Sequence, residues 1–388
     1  MAHEDHDAIY DLLAARGVSR RDFLKYCGSI AALLGLSEAY VPQIAAAVTK
    51  GAKLKPAVWL HGGACTGCTE SVAQADTPDV ATIVLELLSL NFSATLSMAQ
   101  GQDALDAAEA VFEEPGYILI YEGSVMKGFD GNTLRVGGKT GLKELELGAP
   151  NAAAIIAVGS CAVDGGFVMA RPNPADATGV SMYLEEKGIA TPVINLPTCP
   201  VNPEWVVAIV VDVLLLGSLE TGAILNKLNR FGQPKYIFGQ TIHDNCPRRG
   251  HFENGAFVSE FGTEEEALGY CLYKVGCKGP QTFTNCPIVR WNRRTSWCVE
   301  SGAPCIGCGS LNWVDVGAPF LNRHRDLPLP NIGNTRPVTI AGAVAGVAAA
   351  GLIAHGIGMK VAGRMGDGAP YEAAKEHDAK RMKKGGGK

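Results

Sequence analysis

The sequence predicts an α/β fold with a parallel sheet, followed by an irregular region rich in cysteine and by a C-terminal apolar helix. Continuous apolar runs alternate with helical segments up to about residue 230, as is typical of strands buried on both faces of a sheet. His, Cys, Pro and aromatic residues then crowd together over residues 231–330. With 388 residues, of which 47% are hydrophobic, the chain is long enough for two domains and appendages.

The N-terminal region, residues 1–47, resembles an export signal. It contains the paired arginines of Ser19-Arg20-Arg21-Asp22-Phe23-Leu24-Lys25, a weakly apolar stretch and the small residues 45–47. This order is typical of twin-arginine signals, which export folded proteins. A basic turn before a short buried helix is the alternative interpretation.

The predicted sheet domain covers residues 52–230, and three of its predicted strands end close to a cysteine. The strands are predicted at 57–60, 117–121, 153–158 and 193–196, with a further apolar run at 82–90. Cys65 and Cys68 follow the first strand, Cys161 the third and Cys199 the fourth. Because ligands of open parallel sheets bind at the carboxyl ends of the strands, we expect these four cysteines to form one site.

The number of cysteines indicates several metal centres. Of the 12 cysteines, Cys27 lies in the signal region, and His243, three residues before Cys246, brings the number of soft donors back to twelve. Three cubane iron–sulfur clusters need twelve protein ligands, which favours a series of electron carriers. Zinc sites and disulfides remain alternatives for the Cys-x-x-Cys pairs, although complete pairing cannot satisfy an odd number of cysteines.

The segment 338–361 is a predicted membrane anchor, and residues 362–388 form a basic tail. Val338–Met359 contains no Asp, Glu, Lys or Arg, and as a helix it spans roughly 33 Å, close to the thickness of a bilayer core. The basic tail predicts a cytoplasmic C-terminus. A buried helix of a soluble domain is the alternative. His355 lies in this segment and is a candidate for haem contact or for helix packing. The net charge of −5, without a basic stripe, gives no indication of nucleic-acid binding.

Six motifs resemble those of the small subunit of membrane-bound, group 1 nickel–iron hydrogenases, and the resemblance covers nearly the whole chain. The motifs are Gly63-Ala64-Cys65-Thr66-Gly67-Cys68-Thr69-Glu70, Gly159-Ser160-Cys161, Pro197-Thr198-Cys199-Pro200, His243-Asp244-Asn245-Cys246-Pro247, Gly276-Cys277-Lys278-Gly279-Pro280 and Pro304-Cys305-Ile306-Gly307-Cys308.

The resemblance implies a flavodoxin-like domain and three cluster sites, called here the proximal, medial and distal groups. The proximal [4Fe-4S] ligands are Cys65, Cys68, Cys161 and Cys199, and the distal [4Fe-4S] ligands are His243, Cys246, Cys271 and Cys277. The medial group is Cys286, Cys298, Cys305 and Cys308.

In the medial group the family usually has three cysteines, a [3Fe-4S] cluster and a proline after the tryptophan that Trp297 matches. Here Cys298 takes the place of that proline. A fourth thiolate completes a [4Fe-4S] cube, as in the nickel–iron–selenium relatives. If Cys298 is only a small buried apolar residue, the medial cluster is [3Fe-4S].

The resemblance further implies a relay of electrons from H2 oxidation at the nickel–iron site of a large subunit to a membrane b-type cytochrome or another quinone-linked acceptor. The body lies on the periplasmic side, in a higher oligomer of heterodimers, and this chain supplies no catalytic residue. Glu70 and Glu122 lie beside the proximal group, where surface ion pairs are expected and proton exit or contact with the large subunit are alternatives. An exported electron-transfer module for another catalytic subunit and a metal-stapled binding or sensor protein are the competing interpretations.

Overall fold

The computed structural model describes residues 55–75, 88–214, 222–323 and 337–362, together with short pieces at 21, 24–25, 27–28, 31, 38–42, 327–329, 333–335, 375–376 and 380. The predicted twin-arginine signal and basic tail lie largely outside the described residues. The chain divides into two compact units, residues 1–323 and residues 324–388.

A five-stranded parallel sheet forms the centre of the first unit. Its strands are β1 (Lys55–His61), β2 (Leu88–Ser93), β3 (Ile118–Glu122), β4 (Ala154–Val158) and β5 (Val193–Leu196). Their order across the sheet is β2-β1-β3-β4-β5, and every neighbouring pair is parallel. This is the doubly wound order of flavodoxin-like folds. The predicted α/β fold is therefore confirmed, with strand ends that differ from the predicted ones by one or two residues.

Helices connect the strands and continue through the second half of the unit. They are α1 (Gly67–Val72), α2 (Gly101–Glu113), α3 (Gly141–Gly148), α4 (Ser160–Asp164), α5 (Val180–Lys187), α6 (Pro203–Leu214), α7 (Ala223–Lys227), α8 (Lys235–Phe238), α9 (Arg249–Glu253), α10 (Glu264–Ala267), α11 (Cys286–Val289) and α12 (Trp313–Gly317). Pro203 begins α6, a favourable position for proline because an N–H in the first helical turn has no partner within the helix.

Both faces of the sheet are buried, as the continuous apolar runs require. In β3, Ile118 and Ile120 pack into one apolar cluster, whereas Leu119 and Tyr121 pack into the cluster on the opposite face. The sheet is therefore rigid, and it holds the loops at the carboxyl ends of its strands in fixed positions.

Residues 231–323 contain little regular structure, as predicted. Among the described residues of this range, the elements are four- or five-residue α-helices and the 3-10 turns Ile242–Asn245, Leu272–Val275 and Gly279–Gln281. The indole N–H of Trp205 on α6 donates to the side-chain oxygen of Asn285 at 2.8 Å. Residues of this region also belong to the same apolar cluster as one face of the sheet, including Cys277, Cys286 and Cys305.

The second unit contains one long helix, α13 (Pro337–Val361), and a short antiparallel strand pair, Leu327–Leu329 with Gly333–Thr335. Residues Thr339–Val361 of α13 have a mean hydropathy of 1.9, and this is the one helix among the described residues long and apolar enough to cross a membrane.

Candidate metal centres

The proximal group lies at the carboxyl edge of the sheet. Cys65 and Cys68 follow β1, Cys161 is in α4 directly after β4, and Cys199 follows β5. Their thiols are close enough for their charges to interact, since Cys65 acts on Cys161 and Cys199, and Cys161 and Cys199 act on Cys68. Loops far apart in the sequence thus converge on one place, as the topology predicts.

Gly159 lets two of these loops approach closely. Its φ is +85°, and a Cβ atom at this position would lie 2.4 Å from Sγ of Cys68. The backbone N–H of Val201 donates to the same sulfur at 3.4 Å. Only glycine combines this left-handed conformation with space for a neighbouring sulfur atom.

Glu122, at the end of β3, is buried rather than exposed, so a surface ion pair is the wrong role for it. Its carboxylate accepts hydrogen bonds from the backbone N–H groups of Cys68 and Thr69, both at 3.0 Å, and from the Thr69 hydroxyl at 2.5 Å. His61 Nε2 lies 3.3 Å from the same carboxylate. Burial acts to raise the pKa of Glu122, but the hydrogen bonds from His61 and Thr69 outweigh burial and lower it. Glu70 is exposed, as expected.

The four predicted distal ligands line one cavity. His243, Cys246, Cys271 and Cys277 share its wall with Arg248. A capping box between Thr241 and Asp244 fixes the 3-10 turn that carries His243. The imidazole ring also packs edge-on against Phe252, with ring centroids 4.5 Å apart.

Arg248 is a residue that the sequence-based prediction missed. Besides lining this cavity, its positive charge lowers the pKa of Cys246, Cys271 and Cys277, although burial outweighs it and all three values are raised. Its guanidinium donates to the Tyr270 carbonyl at 2.9 Å, which holds it in place. Its position two residues after Cys246 is the only sequence signal that could have indicated this role.

The medial cysteines also interact with one another. The charge of Cys298 acts on Cys286 and on Cys308, and Cys286 acts on Cys305 and Cys308. The Thr284 hydroxyl lies 3.0 Å from Sγ of Cys286. The charge of Cys298 also acts on Cys277 of the distal group, and as a residue Cys298 is more exposed than the other three medial cysteines.

The three groups adjoin one another in the order proximal, medial, distal. The Ser160 hydroxyl, beside Cys161 in the proximal group, donates to the backbone carbonyl of Cys308 in the medial group at 2.7 Å. The backbone N–H of Cys305 in the medial group donates to Sγ of Cys277 in the distal group at 3.3 Å.

The donor set fits iron–sulfur clusters. Burial, followed by the charges of neighbouring thiolates, raises the pKa of Cys199 to about 11, and burial is also the main reason that the pKa of Cys286 is about 11 and that of Cys308 about 12. Such neighbours become thiolates together only when a cationic group lies between them. All twelve cysteines are free, and the described residues contain no cluster of three or more His, Cys, Asp or Glu arranged to hold a single metal ion.

Comparison with known proteins gives matches on both halves of the first unit. The family model described as NADH ubiquinone oxidoreductase, 20 Kd subunit, matches residues 65–213, and the model for the C-terminal part of the NiFe/NiFeSe hydrogenase small subunit matches residues 238–321. The solved structure of the recombinant [NiFeSe] hydrogenase from Desulfovibrio vulgaris Hildenborough has a TM-score of 0.65 and 34% identity, over 70% of this chain and 98% of that chain.

Two curated proteins match over most of the chain. The periplasmic [NiFe] hydrogenase small subunit 1 of Nitratidesulfovibrio vulgaris is 41% identical over 310 residues, which is 79% of this chain and 94% of that protein. The quinone-reactive Ni/Fe-hydrogenase small chain of Wolinella succinogenes is 40% identical over 313 residues, which is 80% of this chain and 85% of that protein.

The sheet order and the buried thiol groups are those of an α/β electron-transfer protein. With this identity over about four-fifths of its length, the chain belongs to the small subunits of nickel–iron hydrogenases. Its role is electron transfer within a heteromeric hydrogenase, whose large subunit holds the nickel–iron site. Iron–sulfur clusters are the cofactors that this family implies.

Proposed function

We propose that this chain holds three [4Fe-4S] clusters and passes electrons from H2 oxidation through them in the order proximal, medial, distal. The observation that carries the proposal is the cavity lined by His243, Cys246, Cys271 and Cys277, because four soft donors face one space. The proximal and medial groups of cysteines support it through their mutual interactions. The nearby Arg248 and the backbone N–H groups that donate to sulfur would tune the cluster potentials.

We further propose that the acceptor is a membrane b-type cytochrome or another quinone-linked protein, reached from the distal cluster. A relative is named quinone-reactive, and Thr339–Val361 is suited to anchor the chain in the membrane. The body would lie on the periplasmic side after export by the motif Ser19–Lys25, which agrees with the periplasmic location in the name of another relative. A higher oligomer of heterodimers is part of the same proposal.

The proposed division into a sheet domain, residues 52–230, and a cluster domain, residues 231–330, is supported by the two family models, which match on either side of residue 230. The second domain would then be organised by its clusters, since it contributes few regular elements among the described residues.

Metal analysis with electron paramagnetic resonance on the purified complex tests the proposal. We expect about twelve iron atoms in each copy of this chain and about four fewer when Cys68→Ser removes a proximal ligand. Cys27→Ala is the matched control and should keep all the iron, because Cys27 belongs to none of the three groups. Zinc in place of iron, with no visible absorption, would contradict the proposal.

A further inference from the structure

Ser160 connects the proximal and medial groups through a single hydroxyl. This side chain, only 2% exposed, donates to the Cys308 carbonyl at 2.7 Å and accepts the Thr198 N–H at 3.0 Å. Ser160 itself precedes Cys161, and Thr198 precedes Cys199. One hydroxyl thus joins three loops, each of which carries a predicted cluster ligand.

Asp164, at the other end of α4, makes a second connection to the same segment. It is 2% exposed, and its carboxylate accepts hydrogen bonds from the backbone N–H of Asn312 and, at 2.8 Å, from that of Gly166. Ser160 and Asp164 are four residues apart and share one face of α4. Cys308, which accepts the hydrogen bond from Ser160, and Asn312, which donates to Asp164, are also four residues apart. Helix α4 and the segment 308–312 therefore contact each other at two points with the same spacing.

The medial segment is closely packed at Gly309. A Cβ atom at this position would lie 2.4 Å from Cγ2 of Thr284 in the same region and 3.5 Å from Cγ2 of Thr198 in the sheet domain, so a larger residue would require one of these neighbours to move. At the far end, Arg171 contacts Asp315 through its backbone N–H at 3.2 Å. The two buried contacts therefore lie within a continuous interface between the sheet domain and the residues after Cys308.

We propose that Ser160 and Asp164 are positioning residues that fix the spacing between the proximal and medial clusters, and through it the rate at which electrons pass between them. The inference rests on the proposed function. The step concerned would pass one electron from the cluster held by the proximal ligands to the cluster held by the medial ligands, and no bond would form or break. The rate of such a step depends on how far apart the clusters are held, and Ser160 contacts loops on both sides of that gap.

The variants Ser160→Ala and Asp164→Ala in the purified complex test the inference. Each removes the hydrogen bond that its side chain makes to the medial segment and leaves every predicted ligand in place. We expect a severalfold fall in H2-dependent reduction of an acceptor dye and a weaker magnetic interaction between the reduced proximal and medial clusters. Isotope exchange between D2 and water should be unchanged, because it takes place at the large-subunit site and needs no electron to pass along the clusters.

Thr191→Val is the matched control. The Thr191 hydroxyl donates to the Ala149 carbonyl at 2.7 Å, so this variant loses a bond of the same kind and length within the sheet domain, away from the three groups. Its magnetic interaction and its dye reduction should match those of the unmodified complex. Iron content distinguishes failure of the proposed function from failure of the positioning role. If the unmodified complex does not contain three clusters, the proposed function is refuted. If it contains three clusters and both variants reduce the dye as fast as the unmodified complex, only the positioning role is refuted.

Amide hydrogen exchange on the unmodified complex gives a measurement that does not depend on how the variants fold. The Thr198 and Asn312 N–H groups should exchange as slowly as the amides of β3 and β4, because both are hydrogen-bonded to buried side chains. Fast exchange at either amide would overturn the inference, as it would show that the contact opens readily.

Discussion

Under the proposed function, Cys298 would decide which kind of cluster the medial group holds. Its charge acts on Cys286 and Cys308, and the preceding Trp297 is buried. A cube with four irons needs a fourth ligand, whereas a three-iron cluster needs only three. This one residue would then set both the iron content and the potential of the middle cluster.

Replacing Cys298 by proline should convert the medial cluster to a three-iron form. We expect a strong paramagnetic signal from the oxidised three-iron cluster, a loss of about one iron atom and a higher medial potential. Electron paramagnetic resonance during a redox titration measures all three effects. Cys298→Ala makes the same change without restricting the backbone and should give the same signal. If both variants keep a four-iron medial cluster, Cys298 is not a ligand.

Candidate ligands could be proposed from the sequence because cysteine motifs are local, whereas the groups that surround them are not. Glu122 follows a predicted strand, but nothing in its neighbourhood in the sequence shows that it accepts hydrogen bonds from the loop of Cys68, 54 residues away. Ser160 and Cys308 are separated by 148 residues. Such partners depend on the tertiary structure, which a single sequence does not give.

Among the regular elements, the strands were predictable because the sheet is buried on both faces. The runs at Ala154–Val158 and Val193–Leu196 are apolar almost throughout, and the observed strands follow them closely. Helices as short as α8 or α11, with four residues each, do not show a helical period. The predicted run at 82–90 overlaps β2 only from Leu88, and residues 82–87 lie outside the described part of the chain.

Helix α3 contains a carboxyl group whose ionisation opposes folding. Burial raises the pKa of Glu144 from 4.5 to about 7. The positive charge of Lys139 acts against this shift, and the negative charge of Glu109 adds to it. At pH values between 4.5 and about 7, Glu144 keeps its proton in the folded chain but has released it in the unfolded chain. The free energy of unfolding therefore falls as the pH rises through this window, by on the order of 3 kcal/mol.

Glu144→Gln should remove this loss of stability. The thermal midpoint of the purified complex, compared between about pH 5 and about pH 8, should fall less for the variant than for the unmodified protein. Glu146→Gln on the same helix is the control, because the pKa of Glu146 is shifted in the opposite direction. Burial acts to raise the pKa of Glu146, but its hydrogen bonds with Tyr183 and Lys187 lower it overall, so the variant should be less stable at neutral pH. An unchanged pH dependence in Glu144→Gln would contradict the assignment.

In the whole molecule, the three groups adjoin one another through buried hydrogen bonds between their loops. The Ser160 hydroxyl beside Cys161 donates to the Cys308 carbonyl, and the Cys305 amide donates to Sγ of Cys277. The spacing along the series therefore depends on buried side-chain and backbone hydrogen bonds that join neighbouring groups. The sheet edge supports the proximal end of this series, and the cavity around His243 lies at its distal end.

Ending the chain at Arg336 should separate membrane attachment from electron transfer within the body. Thr339–Val361 spans roughly 34 Å as a helix, enough for a bilayer core, and none of the three groups of ligands lies in it. We expect the truncated complex in the soluble fraction, with its iron content and its H2-dependent dye reduction intact but with H2-dependent quinone reduction lost. Fractionation, iron analysis and the two assays measure these outcomes.

The full-length chain with Ile353→Leu is the control and should remain in the membrane, since its apolar length is unchanged. Retention of the truncated complex in the membrane, or loss of its iron, would contradict the role of this helix as an anchor alone.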